Sequence, residues 1–358
     1  MPVKIGVIGA GKFGTNHLNA FRQMSYTGVA ELAAVAEANP ARAEEVRKEY
    51  GCPVYLDYHE MLEKVDLDGV SVVTPDHLHR QITVDAAKAG KHVLVEKPLD
   101  TTVEGCDAMI RAAKDSRVLL QVDFHKRYDP DHRALEARVK AGEMGDILYG
   151  SVYMEDRIDV PVDWFPHWAP NSSPTWFLGV HFFDLVRWAI KSEARTVFAT
   201  GSRKFLKEVH GVDTWDSISA KVDFVDGASF NFDVSWILPR GFESIVNQAI
   251  RVVGTKGVWE IDSQDRGSRS CIEDEGMRTY NNNFLREQTD KYGRTVYRGY
   301  GAESIEDFAY NVALLKDGVK TLNDMSGMYP SGEDGREVTR IAVAVHESID
   351  TGQVIKLR

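Results

Sequence analysis

The chain opens with an apolar run, Lys4-Ile5-Gly6-Val7-Ile8, that leads directly into Gly9-Ala10-Gly11-Lys12-Phe13-Gly14, and a second apolar run from Glu31 to Ala36 ends at Glu37. Strand, glycine turn, helix, strand and acid in that order form the pattern of a dinucleotide-binding βαβ unit, because each glycine has its own steric task. Gly9 makes the tight turn, Gly11 lets the backbone approach a pyrophosphate, and Gly14 lets the next helix lie close on the strand. That helix, expected from about Thr15 to Gln23, turns free N–H groups and its positive dipole end toward the phosphates. Lys12 and Phe13 belong to the same expected cofactor contact. Glycine turns are common, and the bland alternative is an α/β protein with a tight first turn and no ligand. The acid about 20 residues after the turn makes the pattern specific.

Glu37 also bears on the kind of dinucleotide. At a strand end its carboxylate accepts hydrogen bonds from the adenosine ribose hydroxyls and repels a 2′-phosphate, which favours NAD over NADP. The next residue is Ala38, so an adjacent phosphate-binding arginine is missing; Arg42, one helical turn on, keeps NADP as the lesser alternative.

At 358 residues the chain exceeds one compact core of usual size, so two domains are expected. The net charge of -11 is spread along the chain, which disfavours nucleic-acid and anionic-membrane partners. No apolar stretch approaches the length of a membrane span, and the N-terminus begins with a strand instead of a signal core, so a cytoplasmic location is expected. Cys52, Cys106 and Cys271 are few, distant and odd in number, which suits a reducing compartment and no disulfide framework. His77 and His79 are too sparse for zinc, and no metal is expected.

Helices and strands alternate through the first part of the chain: a helix opened by Pro40, another capped by Asp57, strands at Gly69 to Val73, His92 to Val95 and Val118 to Val122, and helices at Arg80 to Ala89 and Val103 to Ser116. The alternation predicts an α/β fold with a doubly wound parallel sheet over residues 1–124. A helix from about Pro130 to Ala141 leads onward. From Ile147 the texture changes to consecutive strands joined by turns such as Asp226-Gly227 and Lys256-Gly257, which predicts an α+β domain over residues 125–358 with an open-faced, largely antiparallel sheet. A helix around His181 to Ile190 covers part of that sheet, and the exposed remainder is expected to pair in a homodimer or homotetramer. Gly276 to Gly301 reads as a long polar loop or arm, and two C-terminal helices, at about Ser304 to Asp317 and Glu333 to Thr351, are expected to pack on existing layers, including the first domain.

A doubly wound sheet places its ligand at the carboxyl ends of its strands. Three of those ends carry chemistry: Thr74-Pro75-Asp76-His77-Leu78-His79, Glu96-Lys97-Pro98, and Asp123-Phe124-His125-Lys126-Arg127-Tyr128. A lysine at the end of an apolar strand, followed by proline, is restricted in position and partly desolvated, which brings its pKa toward the range useful for proton transfer. Taken alone, Glu96-Lys97 reads more readily as a solvated surface pair, and its context reverses that reading.

The glycine turn, Glu37 followed by Asn39-Pro40-Ala41-Arg42-Ala43, Thr74-Pro75 with His79, Ala89-Gly90-Lys91-His92-Val93 leading into Glu96-Lys97-Pro98-Leu99, and Gly179-Val180-His181 with Asp184 together resemble the Gfo/Idh/MocA oxidoreductases. The match is dense over residues 3–130 and thinner, though in order, beyond. The resemblance implies an N-terminal Rossmann domain that binds NAD or NADP, and a C-terminal domain that supplies the substrate site and the oligomer interface. It implies that Lys97 is the catalytic or substrate-orienting lysine, with a cis Lys97-Pro98 bond, that Thr74, Pro75, His79 and Glu96 lie along the nicotinamide side, and that His181 faces the substrate as a second catalytic group. Asp184 then orients His181 or binds a hydroxyl; its bland role is a helix cap.

Two positions depart from the family's pattern. The aspartate that many of its polyol dehydrogenases carry four residues before the histidine is Phe177 here, and the asparagine common after Thr-Pro is Asp76. Asp123, Asp163 and His125 are the candidates to replace the missing carboxylate, and His125 and Arg127 at the third strand end are candidate substrate contacts. The segment from Pro161 through Trp164, Phe165 and Trp168 to Trp176 is rich in aromatic rings, which either stack on a sugar as a substrate wall, through Trp168 and Trp176, or plug a core or interface. The expected activity is NAD-dependent oxidation of a secondary alcohol in a sugar, sugar derivative or cyclitol, or the reverse reduction. Two alternatives use the same parts: a lyase or glycosidase that oxidises its sugar transiently, and a non-catalytic sensor that keeps the cofactor.

Overall fold

The computed structural model describes residues 1–262, 268–272 and 276–358, and they form two compact units. The first unit comprises Met1–Tyr128 and Phe284–Arg336, and the second Asp129–Asn283 and Glu337–Arg358. Each unit thus takes in two separate stretches of the chain, and residues 284–336 join the first.

The first unit begins with β1 (Val3–Ile8), α1 (Gly14–Met24), β2 (Ala30–Ala36), α2 (Pro40–Tyr50), β3 (Val54–Tyr55), α3 (Tyr58–Lys64), β4 (Gly69–Val72), α4 (His79–Lys88), β5 (His92–Val95), α5 (Val103–Ser116) and β6 (Leu120–Val122). The six strands form one sheet in the order β3-β2-β1-β4-β5-β6, and every pairing is parallel. The helices start where short polar side chains replace missing backbone partners: Asn39 accepts from the N–H groups of Ala41 and Arg42, Asp57 from His59, and Thr102 from Gly105. The strand order reverses between β1 and β4, and at such a switch point the carboxyl ends leave a crevice for ligand. The fold is thus the expected Rossmann type.

The second unit contains α6 (Pro130–Lys140), β7 (Ile147–Arg157), α7 (Val180–Ile190), β8 (Ala194–Ser202), α8 (Phe205–His210), β9 (Ser217–Phe224), β10 (Ser229–Leu238), β11 (Val246–Gly254), β12 (Val258–Asp262), β13 (Ser268–Ile272) and β14 (Gly276–Tyr280). Its main sheet runs β12-β11-β7-β10-β9-β8 and is antiparallel except where β7 and β10 pair in parallel. One face is apolar: Ile218, Ala220 and Val222 alternate along β9 and Phe230 and Phe232 along β10, all buried. α7 covers that face, with Phe183 edge-on to Phe232 at 4.9 Å between ring centres. The other face carries polar residues and the exposed side chains of Tyr149 and Phe198.

The expected loop from Gly276 to Gly301 is instead about half strand. β14 pairs with β13, and β15 (Arg286–Thr289) pairs with β16 (Thr295–Arg298) in a hairpin of the first unit. Alternation in these strands is hidden because most of their side chains are polar and exposed, so period-two patterning had little to register. α9 (Tyr300–Lys316) packs Ile305, Phe308 and Val312 into the core of the first unit with Val3, Ile5 and Leu18. The boundary between units falls inside α10 (Gly332–Thr351), and β17 (Ile355–Lys356) adds an edge strand to the second sheet beside β8.

Candidate active site

The turn after β1 has the geometry that a pyrophosphate requires. Gly9 has φ +96°, and a Cβ there would lie 2.4 Å from the carbonyl oxygen of Val73; a Cβ on Gly14 would lie 2.3 Å from the carbonyl of Gly9. A Cβ on Gly11 would meet nothing within 4 Å, so this side of the backbone is open for a cofactor to approach. No side chain caps α1 and its first turn holds no acid, which leaves a positive helix end. Lys12 is exposed beside this turn.

At the end of β2, Glu37 accepts the N–H of Ala10 through Oε2 and that of Asn39 through Oε1, both at 2.8 Å. Its carboxylate is thereby fixed beside the glycine turn. Arg42 lies close by, donating to the carbonyl of Ala10 at 2.8 Å and to the Thr15 hydroxyl at 3.1 Å. At the end of β4, Thr74 Oγ1 is buried with no hydrogen-bond partner among the described residues, while Pro75 is exposed. An orphaned hydroxyl, a steric cradle and a fixed acid together fit a dinucleotide.

Lys97 follows β5, is 9% exposed and precedes Pro98 across a cis bond. Its ammonium nitrogen stands 5.9 Å from the centre of the Phe13 ring, so lysine and glycine turn meet within one unit. Both oxygens of the Glu96 carboxylate have partners within the first unit. Oε2 accepts the Lys97 N–H at 3.1 Å, and Oε1 pairs with Nε2 of His17 at 3.1 Å. Nδ1 of His17 is 2.8 Å from the Ser71 hydroxyl, and Asp123 Oδ2 lies 3.7 Å from His17 Nε2. Burial raises the Glu96 carboxyl, but the hydrogen bond and charge of His17 and the charge of Lys97 outweigh it and hold Glu96 below the usual carboxylate range. Burial and the Glu96 charge push Asp123 the other way, up to about 7. His17, Glu96 and Asp123 have ligand-type atoms within 4.8 Å of one another, but His17 and Glu96 are joined directly, as in a hydrogen-bonded cluster. Sequence reading missed His17; its signal was a histidine one helical turn after Gly14, on the face of α1 that meets the sheet.

His79 is also occupied. Its ring is 1% exposed, with Nδ1 2.8 Å from the carbonyl of Pro98 and Nε2 2.9 Å from that of Thr74. Both ring nitrogens therefore meet backbone carbonyls at the ends of the neighbouring strands. Arg127, an expected substrate contact, is buried and bridges to Asp334 at 3.1 Å. His125 is buried and packs between Phe284 and Tyr300, with ring centres 5.3 and 5.7 Å away.

In the second unit, His181 and Asp184 occupy the first turns of α7, 4% and 0% exposed. Phe177, in the helical turn just before α7, packs on Trp168 at 5.4 Å, Phe165 at 6.0 Å and Trp236 at 6.2 Å between ring centres. Trp236 is fully buried, and Ile158, Leu206 and Val212 complete this core. Trp168 thus has the surroundings of a core plug. Trp176 stacks on His346 at 5.5 Å with the ring planes 9° apart, and Ser173 holds that histidine by a hydrogen bond to Nε2. Asp163 is exposed and paired with Arg240, which holds its carboxyl below the usual range.

Residues 3–124 match the model of an oxidoreductase family with an NAD-binding Rossmann fold, and residues 132–260 match the Gfo/Idh/MocA C-terminal domain. An inositol 2-dehydrogenase from Rhizobium meliloti is 28% identical over 350 residues, 98% of this chain and 97% of that protein. A myo-inositol 2-dehydrogenase from Thermotoga maritima is 28% identical over 362 residues, 99% of this chain and 98% of that protein. The crystal structure of scyllo-inositol dehydrogenase from Lactobacillus casei with bound NAD(H) and scyllo-inositol has the same fold, with a TM-score of 0.77 and 22% identity over 99% of each chain.

Proposed function

Because this chain belongs to the Gfo/Idh/MocA oxidoreductase family, we propose that it is an NAD-dependent dehydrogenase that oxidises a secondary alcohol of a sugar, sugar derivative or cyclitol, or reduces the matching ketone. The observation that carries this reading is Lys97: a buried lysine at a strand end, its ammonium against the aromatic residue of the glycine turn. Bound NAD supplies the acceptor for the hydride that leaves the carbinol carbon.

Lys97 does the proton work. Held by its own N–H on Glu96, it presents Nζ to the substrate hydroxyl, orients it and, once deprotonated to the neutral amine, takes its proton during oxidation and becomes the ammonium. Its burial excludes water that would compete for that hydroxyl. His181 is assigned the second proton-handling position, since an imidazole carries one nitrogen that accepts a proton and one that donates it. Glu37 selects NAD by binding the ribose hydroxyls in place of a 2′-phosphate.

Cyclitols are the first substrates to test, since the two full-length relatives described above are inositol 2-dehydrogenases. Phe177 and its aromatic neighbours argue for including sugars and their derivatives in the same screen. Incubating the protein with NAD and each polyol while following NADH absorbance tests the reading directly. Net NADH formation with at least one of them is expected. A protein that binds NAD yet neither oxidises a polyol nor reduces the matching ketone overturns the assignment, and product release without net NADH identifies a cofactor-recycling lyase instead. The sheet face bearing Tyr149 and Phe198 is assigned to pairing with a second copy, which light scattering after size exclusion checks.

A further inference from the structure

We propose that His17 and His79 are positioning residues for Lys97, holding the Glu96-Lys97-Pro98 segment from its two ends. This rests on the role assigned to Lys97 above.

The two histidines come from different helices and reach opposite ends of the same tripeptide. His17, on α1, pairs with Glu96 Oε1 at 3.1 Å, and the other oxygen of that carboxylate accepts the Lys97 N–H at 3.1 Å. His79, the first residue of α4, meets the Pro98 carbonyl through Nδ1 at 2.8 Å. Each ring is then anchored to β4 or its end: His17 to the Ser71 hydroxyl at 2.8 Å and His79 to the Thr74 carbonyl at 2.9 Å. The segment before and after Lys97 is therefore tied to the central strand of the sheet by two side-chain bridges.

Burial makes the arrangement consequential. Both rings are 1% exposed, so water cannot replace a lost bond, and a buried carbonyl or carboxylate left without its donor must move to find another. A carbonyl and a carboxylate only accept, so the nitrogen facing each must donate. Lysine has a long flexible stem, and the reach of its nitrogen is set by where its backbone is fixed. A shift of about 1 Å in such a group is enough to cost on the order of 10²-fold in turnover.

Amide side chains separate the two bonds that each ring makes, because the asparagine amide reaches the position of Nδ1 and the glutamine amide that of Nε2. His79→Asn keeps a donor for Pro98, whereas His79→Gln keeps one only for Thr74. His17→Gln keeps a donor for Glu96, whereas His17→Asn keeps only the Ser71 side. The four proteins are compared for melting temperature, NAD binding, kcat and KM, and for acetylation of Lys97 by acetic anhydride, read by peptide mass spectrometry. His79→Gln and His17→Asn are expected to lose on the order of 10²-fold in kcat with NAD binding kept, while His79→Asn and His17→Gln lose about tenfold or less. Lys97 labelling rises about fivefold in the first pair alone, the change that loss of one net hydrogen bond permits. Equal losses of kcat and equal labelling in both members of each pair overturn the proposal. Labelling that follows the pattern in a protein that oxidises no polyol sinks the assigned activity and leaves the positioning role standing.

Discussion

The ammonium nitrogen of Lys97 stands 5.9 Å from the centre of the Phe13 ring, so the group assigned to the substrate proton rests on the turn assigned to the cofactor phosphates. An aromatic face attracts a cation by about 0.5–1 kcal/mol at exposed sites and more where water is excluded. Phe13→Leu keeps apolar volume but removes that face. With saturating NAD, kcat should fall about fivefold while the affinity for NAD changes little. An unchanged kcat would show that the contact plays no part in placing the lysine.

Glu37 and Arg42 both hold the glycine turn at Ala10, one by its N–H and the other by its carbonyl. Both Glu37 oxygens take backbone N–H groups, and the Arg42 guanidinium reaches Ala10, Thr15 and Glu45. Replacing Glu37 with Ser removes the charge that repels a 2′-phosphate and leaves Arg42 within reach of one. The ratio of kcat/KM for NAD over NADP should drop by about tenfold or more, an electrostatic change of roughly 1.4 kcal/mol.

Asp123 gives stability a defined pH dependence. Its carboxyl is raised to about 7, so the folded chain keeps a proton that an unfolded aspartate releases near pH 4. Stability from this group is present in full below about pH 4 and declines as pH rises through about 7. Asp123→Asn removes the decline. Urea melts across about pH 5 to 9 should show the variant gaining on the parent as pH rises to about 7, then a constant difference.

The aromatic cluster around Phe177 predicts a structural role for Trp168. The indole packs on Phe177 and Trp236, so truncating it opens a cavity in a core. Trp168→Ala should lower stability by about 2 kcal/mol, toward the lower end for large core truncations because the ring is only half-buried. KM for the best polyol should stay within about twofold. A raised KM with unchanged urea stability would instead assign the ring to the substrate.

Most of the first unit was legible in the sequence because its signals are local. Glycine turns, caps such as Asn39 and Asp57, and runs of branched apolar residues each act within a few positions. The site was legible only in part. Lys97 and Glu37 announce themselves by their place at strand ends, whereas His17 finds Glu96 at a sequence separation of 79, and nothing near either residue signals the other. The state of His79 was hidden as well: its carbonyl partners lie only 5 and 19 residues away, but a backbone carbonyl gives no signal in a sequence pattern. In the second unit the aromatic segment was visible, but its choice between wall and plug depended on Trp236, far along the chain. The hairpin of β15 and β16 escaped because its exposed polar strands lack an apolar face to give them a period.

Lys97→Met tests the account at its centre, since methionine keeps the length and burial of the side chain and removes the amine assigned to the hydroxyl proton. With the polyol that wild type oxidises best, turnover should fall by at least about 10³-fold, within the range that a positioned acid-base group supplies, while NAD titrated by fluorescence binds within about threefold of wild type. Turnover within about tenfold of wild type, at unchanged NAD affinity, would contradict the account, because the proton would then be leaving by a route that does not pass through Lys97.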